Sequence, residues 1–174
     1  MSGSINNSDL KFNTIIELIN IGSLLNKYID IESARANYNY DFGHILIGLI
    51  TYGPMIQTEL SEWMLCSTQR ITLTLDRMEK EGLVKREPQI HDRRINRICI
   101  TDKGFNWMKS NIAHYEKMII QSVPSNMSTK HLKDLGVVLE EMRDHLLKQD
   151  GVYNGHRLPP RLQFDQLDVI KVKS

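Results

Sequence analysis

Gln69 and Arg70 stand side by side near the start of an amphipathic run, Thr68 to Glu81, with Ser67 directly before it. A glutamine can pair bidentately with adenine, and an arginine with guanine. The hydroxyls of Ser67, Thr68 and Thr72 suit phosphate oxygens, and the threonines also suit a thymine methyl. Arg77 lies on the same polar side. Further along, Lys85, Arg86, Arg93, Arg94 and Arg97 face only Glu87 and Asp92, a balance of +3 within thirteen residues. Such a patch is either a polyanion footprint or a solvated surface hairpin. The chemistry these residues offer is recognition rather than bond-breaking.

The surrounding elements can be read from hydrophobic spacing. Leu10, Ile15, Leu18, Ile19, Leu25 and Tyr28 recur at helical spacing over 10–31, and Ile16, Ile21, Leu24 and Ile29 widen the stripe. A stripe this wide needs more than one partner surface, which points to a dimer contact. Residues 40–52, YDFGHILIGLITY, are apolar nearly all round and predict a buried central helix ended by Gly53-Pro54. A short helix follows over 58–65 with Thr58 as its expected N-cap. After Cys66-Ser67, the helix over 68–81 buries Ile71, Leu75 and Met78, with Ser67 as N-cap and Gly82 at C′. Two extended segments, 83–87 and 97–100, enclose a polar basic tip at 88–94, with Ile98 and Ile100 on one side and Cys99 on the other. Thr101-Asp102 opens a helix of about twenty residues that Pro124 breaks. Ser128 caps a last amphipathic helix through Leu132, Leu135, Leu139, Met142 and Leu146.

Composition bounds the function classes. The chain has 174 residues, 41% hydrophobic and 25% charged, which fits one domain or one domain with an arm. It excludes a largely disordered chain and a collagen-like repeat. Two cysteines, Cys66 and Cys99, are too few for a disulfide framework and favour a reducing compartment. The longest strongly apolar run, Ile45 to Ile50, is far short of the ~20 residues that span a bilayer, and the start lacks a signal-peptide pattern. A cytoplasmic protein with no membrane partner is the expectation. The six histidines are scattered without a short-spaced ligand pair, so no metal or cofactor is expected. No P-loop or nucleophile elbow is present, so no catalytic residue is assigned and no enzyme is expected. The net charge of +1 divides into −4 over residues 1–65, +3 over 66–104 and +2 over 105–174.

Short helix, tight turn, helix and basic hairpin is the order of a winged helix-turn-helix, in which the second helix enters the major groove of duplex DNA. The expected class is mainly α with a small β-hairpin wing. These residues also resemble the MarR family of bacterial transcription regulators. The resemblance rests on Thr58-Glu59-Leu60-Ser61, on the run Asp76-Arg77-Met78-Glu79-Lys80-Glu81-Gly82-Leu83-Val84, on Asp92-Arg93-Arg94, and on Ile100-Thr101-Asp102-Lys103-Gly104. In element order it covers about residues 10–148, and it is sharp over 58–104.

The resemblance implies a six-helix homodimer that binds a pseudo-palindromic operator. It implies a repressor relieved by a small ligand, aromatic ones among the candidates, or by oxidation. Residues 1–39 and 102–148 would form the dimerisation region, 40–101 the DNA-binding domain and 149–174 a tail. Ser67, Thr68, Gln69, Arg70, Thr72, Arg77, Arg86, Arg93 and Arg94 would contact DNA, with Arg94 in the minor groove and Asp92 bracing the wing. Arg77 would contact phosphate or pair with Asp92. Tyr40, His44, Trp63 and Trp107 would line an effector pocket, or serve as plain core. Leu73 departs from the family, where its position is often basic or polar: it either touches a thymine methyl or packs inward. Glu87-Pro88 stiffens a wing base that is usually more basic. Cys66 reads as a packing residue before a redox sensor. Leu162, Phe164, Leu167, Val169 and Ile170 either dock the tail or belong to a disordered end. The alternative function is a winged-helix module that binds a protein partner instead of DNA.

Overall fold

The computed structural model describes residues 6–89 and 95–149. Six helices and three short strands follow in the order α1 (Asn7–Arg35), α2 (Tyr40–Tyr52), β1 (Met55–Ile56), α3 (Gln57–Trp63), α4 (Thr68–Lys80), β2 (Val84–Pro88), β3 (Asn96–Ile100), α5 (Asp102–Gln121) and α6 (Thr129–Leu146). The expected class, mainly helical with a small β-wing, is the one found. No helix among the described residues is long and apolar enough to cross a membrane.

The core gathers around α2. Phe42, Ile45, Leu46, Ile47 and Leu49 are buried, packed with Leu60 and Trp63 of α3 and Ile71, Leu75 and Met78 of α4. Met108, Ile112, Tyr115 and Met118 of α5 close the other side. Two glycines of α2 leave room for rings. A Cβ on Gly43 would lie 1.6 Å from the Tyr38 hydroxyl, and one on Gly48 would lie 3.1 Å from the Trp63 indole.

Helix ends follow local chemistry. Ser67, Thr101 and Ser128 cap α4, α5 and α6 as expected, each side chain accepting from a backbone N–H three residues on. Gly82, at φ 71, ends α4 at C′: its N–H donates to Glu79 O, and the Leu83 N–H donates to Met78 O. The end of α3 has the same paired bonds, Leu65 to Glu62 O and Cys66 to Ser61 O. There the left-handed residue is Leu65, at φ 48, where glycine is usual. Helix α3 therefore stops at Trp63, two residues before the expected end.

Its start also differs from expectation. Ile56 is the N-cap residue, and the Glu59 carboxylate accepts from the Ile56 N–H at 2.8 Å. Thr58 thus sits inside the first turn rather than capping it. Helix α1 extends beyond the expected 10–31 because Asn6 caps it and regular helix persists to Arg35.

The wing is part of a three-stranded antiparallel sheet in the order β1-β3-β2, not an isolated hairpin. Met55 pairs with Ile98, and Arg86 pairs with the same Ile98 from the other edge. Ile98 points into the core, whereas Cys99 takes the opposite face, where its thiol donates to Glu87 at 3.3 Å. Beyond the strands, the Gln89 N–H donates to Ile95 O. Asp92, Arg93, Arg94 and the tail from 150 lie outside the described residues.

The Thr101-to-Gly104 junction fixes α5 against the sheet. The Thr101 hydroxyl donates to Gly82 O at 2.6 Å and accepts from the Gly104 N–H. A Cβ on Gly104 would fall 2.1 Å from Leu83 O, so only glycine permits this approach.

Candidate nucleic-acid interface

Helix α4 is a strongly two-sided helix. Ile71, Leu75 and Met78 are at most 1% exposed. Thr68, Gln69, Arg70, Leu73 and Arg77 lie on the solvent side. The Ser67 hydroxyl accepts from the Arg70 N–H at 3.3 Å, so its side chain completes the helix end. The remaining first-turn N–H groups and the helix dipole favour an anion at this end.

The polar residues differ in how they are held. Thr72 is half-buried between α3 and α4: Gln57 Nε2 donates to its hydroxyl at 2.6 Å, and that hydroxyl donates to Thr68 O at 2.9 Å. It serves the α3–α4 joint, a role that its spacing did not reveal. Arg70 donates through Nη2 to both Asp41 oxygens, at 3.0 and 2.9 Å. Asp41 lies in the first turn of α2, 29 positions earlier, a pairing that no local spacing reveals. A groove of about 360 Å³ runs between them, with Gln69, Leu73 and Arg77 also on its walls.

Arg86 was expected at phosphate. In the structure its guanidinium joins β2 to α4, through Nη1 to Glu79 and through Nη2 to Asp76 at 2.7 Å. Its backbone N–H donates to Glu79 Oε1 at 3.3 Å. Arg86 is thus a brace between wing and helix, with both partners supplied by the outer side of α4. Arg77 and Gln69 remain on the exposed face.

Three of the four proposed effector-pocket residues come together. The Tyr40 hydroxyl meets His44 Nδ1 at 3.0 Å, and the His44 ring lies edge-on to Trp63, 5.3 Å between centroids. Trp63 Nε1 donates to His44 O at 3.3 Å. Tyr115 of α5 stacks on Tyr40 at 5.8 Å. Burial, then the neighbouring Tyr40 and Tyr38, and last its hydrogen bond to Tyr40, raise the Tyr115 hydroxyl above the usual phenol pKa and keep it neutral. Burial also pushes the His44 pKa down to about 4, against the pull of Asp41, so the ring is neutral. Trp107 instead stacks on Tyr38, at 5.4 Å and 18°, and lies 6.3 Å from Phe42.

Cys66, at the turn before α4, is half-buried. Burial raises its thiol pKa above the usual value, Arg70 draws it down and Asp41 raises it. This agrees with a packing role.

Residues 43–95 match the family model described as MarR family. No curated protein matches the sequence significantly. Among solved structures, the chain resembles AbsC, a MarR family transcriptional regulator from Streptomyces coelicolor. They share 20% identity, with 85% of this chain and all of that chain covered, at a TM-score of 0.68. It also resembles Sco3205, a MarR family transcriptional regulator from the same organism solved in complex with DNA. There the identity is 21%, the coverage 86% and 94%, and the TM-score 0.69. Reduced AbfR bound to DNA is similar at 21% identity, 80% and 95% coverage and a TM-score of 0.58. Residues 43–95 thus match the MarR family model, and the described residues form a six-helix fold similar to that of MarR family structures.

Proposed function

We propose that this protein is a transcription regulator that binds duplex DNA sequence-specifically as a homodimer. It acts as a repressor on a pseudo-palindromic operator and is released by a small aromatic ligand. The observation that carries the reading is the two-sided α4, capped by Ser67, with Gln69, Arg70 and Arg77 on the side opposite its buried row. The DNA-bound state of Sco3205 supports it by analogy of fold. Residues 40–101 form the DNA-binding unit, and Arg93 and Arg94 extend it at the wing, braced by Asp92.

Residues 1–39 and 102–148 form the dimerisation region. Helix α6 has no buried residue, although Leu132, Leu135, Val138 and Leu139 are apolar. Leu10, Phe12, Ile15, Ile16 and Ile19 of α1 are exposed as well. Contiguous apolar surface of this kind calls for a partner. A second copy of this chain supplies matching helices. The Tyr40–His44–Trp63 group, between α2 and α3, is the effector site in this reading.

Fluorescence anisotropy tests it, with DNA from the gene's own upstream region, scrambled DNA and two salt concentrations. Sequence-preferring binding that weakens steeply with salt is expected. No binding to either DNA at low salt would replace this reading with a protein-binding winged helix.

A further inference from the structure

On the reading of α4 as a recognition helix, we infer that Leu73 is a specificity-determining residue that reads the C5 methyl group of a thymine in the major groove. The inward alternative is closed, because the inner row is Ile71, Leu75 and Met78 and Leu73 is 57% exposed. A lone exposed leucine is unremarkable in itself. Its placement carries the argument. Leu73 is four residues after Gln69 and four before Arg77, so all three share one face. The groove it borders is otherwise lined by Asp41, Ser67, Gln69, Arg70, Thr74 and Arg77, all polar.

The thymine methyl is the apolar group among the base-edge features that the major groove displays. A branched aliphatic side chain set between hydrogen-bonding neighbours matches that group and offers nothing to the polar edges of the other bases. Helical rise separates Leu73 from Gln69 by about 6 Å, or roughly two base-pair steps of 3.4 Å. The thymine should therefore lie within about two base pairs of the base that Gln69 contacts.

The test begins with duplexes selected by the full chain from a random-sequence pool. Each thymine in turn is replaced by deoxyuridine, which pairs alike but lacks the methyl. At one thymine position the replacement should weaken wild-type binding about fourfold, the effect of losing one buried methyl contact. It should leave Leu73→Ala unchanged, whereas Leu73→Met, still apolar, should keep the sensitivity. The melting temperatures of both variants should equal that of wild type, since the side chain is exposed. The inference is overturned if no deoxyuridine replacement affects wild type, or if Leu73→Ala responds as strongly. The recognition-helix reading would survive that result, because DNA was still selected. If no duplex is enriched, both are lost.

Discussion

Arg70 of α4 is tied to Asp41 of α2 through Nη2, at 3.0 and 2.9 Å from the two carboxylate oxygens. On the proposed DNA-binding reading, Asp41 would compete with a phosphate or a guanine edge for this guanidinium. The pair is partly exposed, with Arg70 60% and Asp41 24% exposed, so its net contribution is modest and it can be exchanged. Asp41→Asn should therefore tighten binding to specific and scrambled DNA alike, by about twofold to fivefold at low salt. Arg70→Ala should weaken specific binding by about 1–3 kcal/mol and relax one base position. Anisotropy titrations of both variants check this. Weaker binding by Asp41→Asn would instead make Asp41 an orienting group for Arg70.

Arg86 should act on both stability and DNA affinity. Its guanidinium pairs with both Asp76 and Glu79 while joining β2 to α4. Arg86→Ala should cost about 1–2 kcal/mol in urea unfolding, a range set by a partly exposed charge network. The two uncovered carboxylates should also weaken binding to every DNA sequence by a similar factor. An unchanged unfolding midpoint would remove the brace.

Leu65 offers a stabilising substitution. Its φ of 48 places a branched side chain in the left-handed region, and the residue is 84% exposed. Leu65→Gly should relieve about 1 kcal/mol of backbone strain. For a chain of this size, calorimetry should show a rise of about 2–4 °C in Tm. A fall in Tm would mean that the leucine makes a compensating contact.

The imidazole of His44 should make stability depend on pH. Its pKa is held at about 4 in the fold against an ordinary 6.5. Between those values the unfolded chain binds the additional proton, so stability rises with pH across this window. The contribution is complete above pH 6.5 and is lost as pH falls towards 4, with a span of roughly 3 kcal/mol. Urea unfolding from pH 4.5 to 7.5 should show this slope, and His44→Gln should flatten it. An identical slope in the variant would assign the effect elsewhere.

Short-range chemistry made much of the fold legible in the sequence. The bounds of α4 follow from Ser67 before it and Gly82 after it, because a cap hydroxyl and a left-handed glycine act within a few residues. Helix α2 follows from an apolar run that needs burial on most sides. The solvent face of α4, and with it Gln69, Arg70 and Arg77, follows from the period of Ile71, Leu75 and Met78.

The tertiary structure decided what depends on distant partners. Strand β1 has two residues, too few to show a period, and exists because Ile98, 43 positions later, pairs with Met55. Thr72 turned towards Gln57, Arg86 took Asp76 and Glu79, and Trp107 joined Tyr38 rather than Trp63. Periodicity fixes which side of a helix faces water, but it carries no information about which charge or ring will stand opposite. The sequence alone thus determined helix α4 and its exposed face. Only packing decided which of its polar groups are already engaged, because long side chains choose partners by proximity in space.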